Sequence, residues 1–197
     1  MPRATFYFDL GSPFAYLAAE RLHEVLPEPV DWQPVSLGAL FKLTGRSSWA
    51  LGDHERRQAG MAEVERRARL YGLPPVRWPD PWPGNYLMAM RAATFAYRAG
   101  HGSTFTICAF RSAFREGNDL SIPSQVLRAA SQAGLDPQEL EEAVQDPEIK
   151  LALREATDAA HTFDVFGVPT LAIDGELFWG DDRLADAADR LERAKVD

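Results

Sequence analysis

Hydrophobic and polar positions change rhythm along this chain. Residues 4–10, Ala-Thr-Phe-Tyr-Phe-Asp-Leu, are dense in β-forming side chains and predict a strand. Gly11-Ser12-Pro13 breaks it, with Ser12 suited to cap a helix and Pro13 to its first turn. Phe14, Ala18, Leu22 and Val25 then recur at helical spacing, and Pro27 and Pro29 stop that period. Residues 30–35 predict a second strand, so the chain opens β-α-β.

The middle follows a helical period. Met61, Val64, Ala68 and Tyr71 form one stripe, ended by Gly72 and Pro74. Residues 74–83 hold five prolines around Trp78 and Trp82, a density that no helix or central strand tolerates. An extended loop is expected there. Leu87, Met90, Thr94 and Tyr97 restart the helix, and residues 103–116 continue in kind. Pro123, Pro137 and Pro147 mark three further helix starts, the last two capped by Asp136 and Asp146.

Near the end the period returns to two. Residues 168–173 predict a strand, Asp174-Gly175 a tight turn, and residues 176–179 the partner strand. Gly180-Asp181-Asp182 precedes a final helix with Leu184, Ala187, Ala188 and Leu191 on one face. Neither outer piece can bury a core alone, so the two are expected to share one mixed sheet. That divides the chain into an α/β domain, residues 1–36 with 164–197, and an inserted helical domain, residues 37–163.

Composition narrows the function classes. The chain has 197 residues, with 21 Lys+Arg against 29 Asp+Glu and a formal charge of −8. An acidic chain without a basic stripe is a poor candidate for nucleic acid or an anionic membrane, though a local basic pocket for a small anion remains open. No apolar run approaches the roughly 20 residues of a membrane span. No signal peptide is read at the N-terminus, so a soluble, cytoplasmic protein is expected. Cys108 is the single cysteine, which excludes an intramolecular disulfide and a cysteine zinc site. It reads as an inert core thiol. His23, His54, His101 and His161 share no ligand spacing, so no metal is expected. Arg56-Arg57 and Arg66-Arg67 alternate with Glu55, Glu63 and Glu65, as on a solvated helix face.

Three places can carry chemistry. Ser12, at the first turn of a helix, lies among unpaired N–H groups and can donate a hydrogen bond to a sulfur brought by a ligand; it can equally be a plain N-cap. Val168-Pro169 precedes an apolar strand. A cis bond there would leave the Val168 N–H and C=O free for an extended ligand, whereas a trans bond would only start the strand. Asp181 and Asp182 serve the dipole of the helix they precede, or hold a ligand ammonium. Trp78 and Trp82 either wall an aromatic pocket or pack beneath the proline loop.

Together these places resemble the thioredoxin fold with a helical insert, in its DsbA-like branch. Redox members open the first helix with Cys-x-x-Cys. Here the stretch reads Ser12-Pro13-Phe14-Ala15, and without sulfur no mixed disulfide can form. The closer likeness is to the 2-hydroxychromene-2-carboxylate isomerases, relatives of kappa-class glutathione transferases. Residues 6–18 resemble their opening, and residues 166–170 and 178–184 their closing motifs. Residues 37–42 and the proline loop up to Asn85 are also similar.

The resemblance implies glutathione as cofactor. Ser12 would hydrogen-bond its sulfur, Val168 before Pro169 would pair with its cysteinyl part, and Asp181 and Asp182 would receive its γ-glutamyl end. Arg57 would meet a glutathione carboxylate. Lys42, Asn85 and Trp82 would face a small aromatic carboxylate substrate. A homodimer is expected on the same grounds. Arg46 stands where kappa-class relatives offer an asparagine, and Trp78 and Trp82 stand where phenylalanine is more usual.

The leading expectation is a glutathione-dependent isomerase of aromatic catabolism, in which thiolate adds to the substrate, a bond rotates, and thiolate leaves. A kappa-like glutathione transferase would keep the conjugate instead. A non-catalytic thioredoxin-fold module that binds peptides is the reading of another class, and it predicts no dependence on glutathione.

Overall fold

A computed structural model describes residues 4–26 and 28–194. Four strands form one mixed sheet in the order β2-β1-β3-β4: β1 (Ala4–Phe8), β2 (Asp31–Pro34), β3 (Thr170–Ile173) and β4 (Glu176–Trp179). β1 runs parallel to β2, with Thr5 opposite Asp31, and antiparallel to β3, with Phe6 opposite Leu171. The expected hairpin joins β3 to β4. Asp174 and Gly175 have φ of 49° and 86°, the left-handed pair that a two-residue hairpin turn demands.

The first helical period divides into α1 (Pro13–Ala19) and α2 (Leu22–Val25), where the spacing of apolar residues predicts one helix. Pro27, read as a terminator of that helix, lies outside the described residues. The break has tertiary causes. Glu20 turns inward, where Arg111 grips its two carboxylate oxygens at 2.9 and 3.0 Å and Arg115 adds a contact of 2.6 Å. Arg21 turns the other way, stacking on Tyr71 and donating to the Asp181 carbonyl.

Between β2 and β3 the chain is helical. α3 (Leu37–Thr44) was not foreshadowed by periodicity; Ser36 caps it and Gly45, at φ 69°, ends it. A short 3-10 turn over Trp49–Leu51 leads to α4 (His54–Leu70). The proline stretch is irregular, as expected, and α5 (Leu87–Arg98) and α6 (Gly102–Phe114) come after it. Then come α7 (Pro123–Gln132), α8 (Pro137–Ala143) and α9 (Pro147–Thr162), each opening on its proline. Asp136 and Asp146 cap α8 and α9 through 2.8 Å bonds from the Gln138 and Glu148 N–H groups. The final helix is α10 (Leu184–Arg193), behind a 3-10 turn over Asp181–Arg183. Among the described residues no helix is long and apolar enough to cross a membrane.

One hydrophobic core joins the sheet to the inserted helices. Phe6 and Phe8 of β1, Tyr16 of α1, and Phe110 and Phe114 of α6 are buried together. Phe8 and Phe110 meet with ring centroids 6.1 Å apart, Tyr16 and Phe114 at 5.5 Å. Each such ring contributes about 1.5–3 kcal/mol by leaving water. On the opposite face a smaller cluster gathers Val35, Leu40, Ala160, Val165 and Val168. The 36/37 and 163/164 boundaries fall in the β2–α3 and α9–β3 connections, and the main core passes across both.

Candidate active site

Asp9, just beyond β1, organises the entry to two helices. Its Oδ1 accepts the Gly11 N–H and its Oδ2 the Leu37 N–H, both at 2.8 Å. One buried carboxylate therefore pins the segments that lead into α1 and α3. Burial pushes its pKa up, while the Leu37 and Gly11 amides pull it down.

Three residues on, Ser12 caps α1 by accepting the Ala15 N–H at 3.2 Å. Its hydroxyl points toward the Val168 carbonyl oxygen, 3.5 Å away. The Val168–Pro169 bond is cis. The ladders on either side of β3 begin at Thr170, so the Val168 peptide groups stand outside both. The Gly180 N–H bonds the Pro169 carbonyl at 2.9 Å, which holds the Asp181-Asp182 turn beside this segment.

Ser12 and Val168 line one cavity of about 1100 Å³. Its charged lining consists of Lys42, Arg46, Arg56 and the buried Asp9. Among the described residues none of the three cations has an ion-pair partner. In a chain of net charge −8, this is a local concentration of unpaired positive charge, of the kind that attracts anions. Trp49 and Trp82 form an aromatic wall, with centroids 5.3 Å apart. Tyr86 lines the cavity against Gly11. A Cβ on Gly11 would come within 2.6 Å of its ring, so any larger residue there must displace the phenol, and burial pushes that phenol up to about 12.

A model of the DsbA-like thioredoxin domain matches residues 4–192. The chain belongs to the DsbA-like thioredoxin family. It is 27% identical over 187 residues to a 2-hydroxychromene-2-carboxylate isomerase of Sphingobium xenophagum, an alignment covering 91% of this chain and 92% of the relative. It is 25% identical over 203 residues to human glutathione S-transferase kappa 1, covering 93% and 88%. A solved structure of 2-hydroxychromene-2-carboxylate isomerase has the same fold, with a TM-score of 0.84 and 24% identity over 98% of this chain and 97% of that one. The DsbA-like fold expected from the terminal motifs is thus the fold found, and the sequence relatives are enzymes.

Within this DsbA-like frame the expected site residues divide. Ser12, Val168, Lys42, Asn85 and Trp82 all line the cavity. Asn85 Oδ1 also accepts the Leu87 N–H at 3.2 Å in the turn that leads into α5. Trp78 lies behind Trp82 and donates to Glu65 at 2.8 Å, so the two tryptophans play different parts. Pro169 is buried behind Val168 and does not line the cavity. Nor does Arg57, whose guanidinium sits 5.8 Å from the Trp82 ring centroid; α4 turns its neighbour Arg56 to the cavity instead.

Asp181 is buried and its two oxygens are already engaged, by Arg67 at 2.8 Å and the Tyr71 hydroxyl at 2.9 Å. Burial raises its pKa and Arg67 opposes the rise. This carboxylate bolts α4 to the turn before α10. Asp182 stays exposed, 3.4 Å from Arg67. Sequence reasoning did not single out Asp9, Arg56 or Tyr86. Asp9 carried a usable signal, since an aspartate two residues before glycine at a strand end favours an Asx turn.

Proposed function

We propose that this chain is a glutathione-dependent isomerase of the 2-hydroxychromene-2-carboxylate type, acting on a small aromatic carboxylate. The observation that carries the reading is the Ser12 hydroxyl, presented to the Val168 carbonyl at the wall of a cavity with an unpaired cationic lining. The residues fit the tripeptide. A hydroxyl donor awaits its sulfur, the Val168 peptide groups suit its extended backbone, and Asp182, outside the cavity lining and exposed beside Arg67, is assigned to its ammonium. When bound, glutathione supplies a thiol for reversible addition to a conjugated carbon, with no net redox change.

The chain's own residues supply the rest. Ser12 donates its hydroxyl hydrogen bond to the sulfur, which favours the thiolate near neutral pH. Lys42 and Asn85 are assigned to the oxygens of the substrate, and Trp49 and Trp82 to its ring. Arg56 meets a carboxylate where Arg57 was expected to do so. The likeness to human glutathione S-transferase kappa 1 favours one other reading, a transferase that keeps the conjugate.

Product analysis separates them. With 2-hydroxychromene-2-carboxylate and substoichiometric glutathione, the isomerase gives rearranged product and returns all the glutathione. Stoichiometric loss of glutathione into a conjugate supports the transferase. Turnover that ignores glutathione overturns both.

A further inference from the structure

One wall of the cavity carries a three-member stack with no part in the proposed isomerase chemistry. The Arg46 guanidinium carbon lies 4.2 Å from the Phe166 ring centroid, and Phe166 meets Trp179 at 5.0 Å with the rings tilted by 60°. All three line the cavity, next to Val168. They come from three separate places: Arg46 lies just past α3, Phe166 between α9 and β3, and Trp179 at the end of β4.

The surroundings favour this arrangement. Gly45, at φ 69°, ends α3 and turns the chain so that Arg46 comes back over the cavity. A Cβ on Gly167 would come within 2.9 Å of Trp179 Nε1, so glycine lets the indole close against the chain. Trp179 is 51% exposed, which leaves apolar ring surface open at the cavity edge. The guanidinium spends one face on Phe166. Its N–H edges meet no carboxylate among the described residues, although the chain holds 29 acids.

A stacked guanidinium is a planar fork held in few orientations, and its free edge matches a carboxylate through two parallel N–H···O bonds. We propose that Arg46, held on the Phe166–Trp179 pair, is the carboxylate clamp of this cavity and sets its preference for acids over neutral analogues. The proposal rests on the cavity being the ligand site of the proposed isomerase. The carboxylate comes from the glycyl end of the tripeptide or from the aromatic co-substrate, and the two sources are separable.

The test compares the wild type with Arg46→Met, which keeps the stem, and Arg46→Lys, which keeps the charge but loses the fork. Calorimetric titrations use glutathione against its glycyl monoethyl ester, and salicylate against salicylamide. Arg46 is exposed, so both variants should melt with the wild type. Arg46→Met should weaken at least one acid by about tenfold or more, with no change for its neutral partner. Arg46→Lys should rescue only part of the loss. Weakening confined to glutathione assigns the clamp to the tripeptide, and weakening confined to salicylate assigns it to the co-substrate. Equal affinity of wild type and Arg46→Met for both acids overturns the clamp, as does a wild type that prefers neither acid to its neutral partner. A wild type that prefers salicylate but does not bind glutathione overturns the proposed function and leaves the clamp standing.

Discussion

Ser12 Oγ lies 3.5 Å from the carbonyl oxygen of Val168, a residue 156 positions away. That distance is at the outer edge of hydrogen bonding, so the hydroxyl proton is only loosely committed. Its oxygen is meanwhile used well, as the cap of α1. The capping role and the donor role expected of Ser12 are therefore compatible: one lone pair serves the helix and the proton stays available. An anionic sulfur brought to the Ser12 hydroxyl from the cavity would compete for it with roughly twice the strength of a neutral acceptor.

Asp9 should leave a pH signature in stability. Burial raises its folded pKa above the ordinary 3.8, so the folded chain holds this proton to higher pH than the unfolded chain. The stability tied to it is complete below the unfolded value and is lost as pH rises through the folded one. Asp9→Asn removes that dependence, at a constant cost for setting an amide N–H against a backbone N–H. Denaturant midpoints measured between about pH 4 and about pH 7 should show the wild type losing ground relative to the variant as pH rises. A wild type that gains ground would contradict the assignment.

Glu20 should matter to the fold and not to ligand binding. Its side chain is 2% exposed and holds Arg111 and Arg115 against the end of α1. Glu20→Ala is expected to cost about 1.5–3 kcal/mol, the usual worth of hydrogen bonds to charged groups, and Glu20→Gln less. Urea unfolding checks the cost, and glutathione affinity of the folded variant should be unchanged.

Gly60 on α4 supports the aromatic wall from behind. A Cβ there would overlap the Trp49 ring. Alanine gains about 1 kcal/mol in helix propensity, but overpacking costs about 1–3 kcal/mol, so Gly60→Ala should lose stability on balance. Displaced toward the cavity, Trp49 should also change the tryptophan emission. A stabilised variant with unchanged emission would contradict this packing of Gly60 against Trp49.

Features set by local chemistry were legible in the residues. The Asp174-Gly175 hairpin, the three proline-led helices and the Ser12 cap each depend on neighbours within a few positions. α3 escaped because only Leu40 of its residues is fully buried, so no apolar stripe announces it, although Ser36 and Gly45 mark its ends. The break after α1 escaped because the apolar period runs on through Leu22 and Val25, while Glu20 and Arg21 answer to partners 91 and 160 residues away. The same reason separates Arg56 from Arg57: adjacent helix positions point about 100° apart, and the docking of α4 decides which one faces the cavity. Asp181 and Asp182 look alike in sequence, and only the approach of Arg67 and Tyr71 tells them apart.

Ser12 is proposed to activate a glutathione thiol. Titrating the reduced protein with glutathione near neutral pH, and following the ultraviolet absorbance of the thiolate, tests it most directly. A saturable thiolate signal is expected in the wild type. In Ser12→Ala the signal should be lost and turnover should fall about 10²-fold or more, with the fold kept at a cost of about 1 kcal/mol for the missing cap. An equal thiolate signal in the variant, or none in the wild type at saturating glutathione, would contradict it.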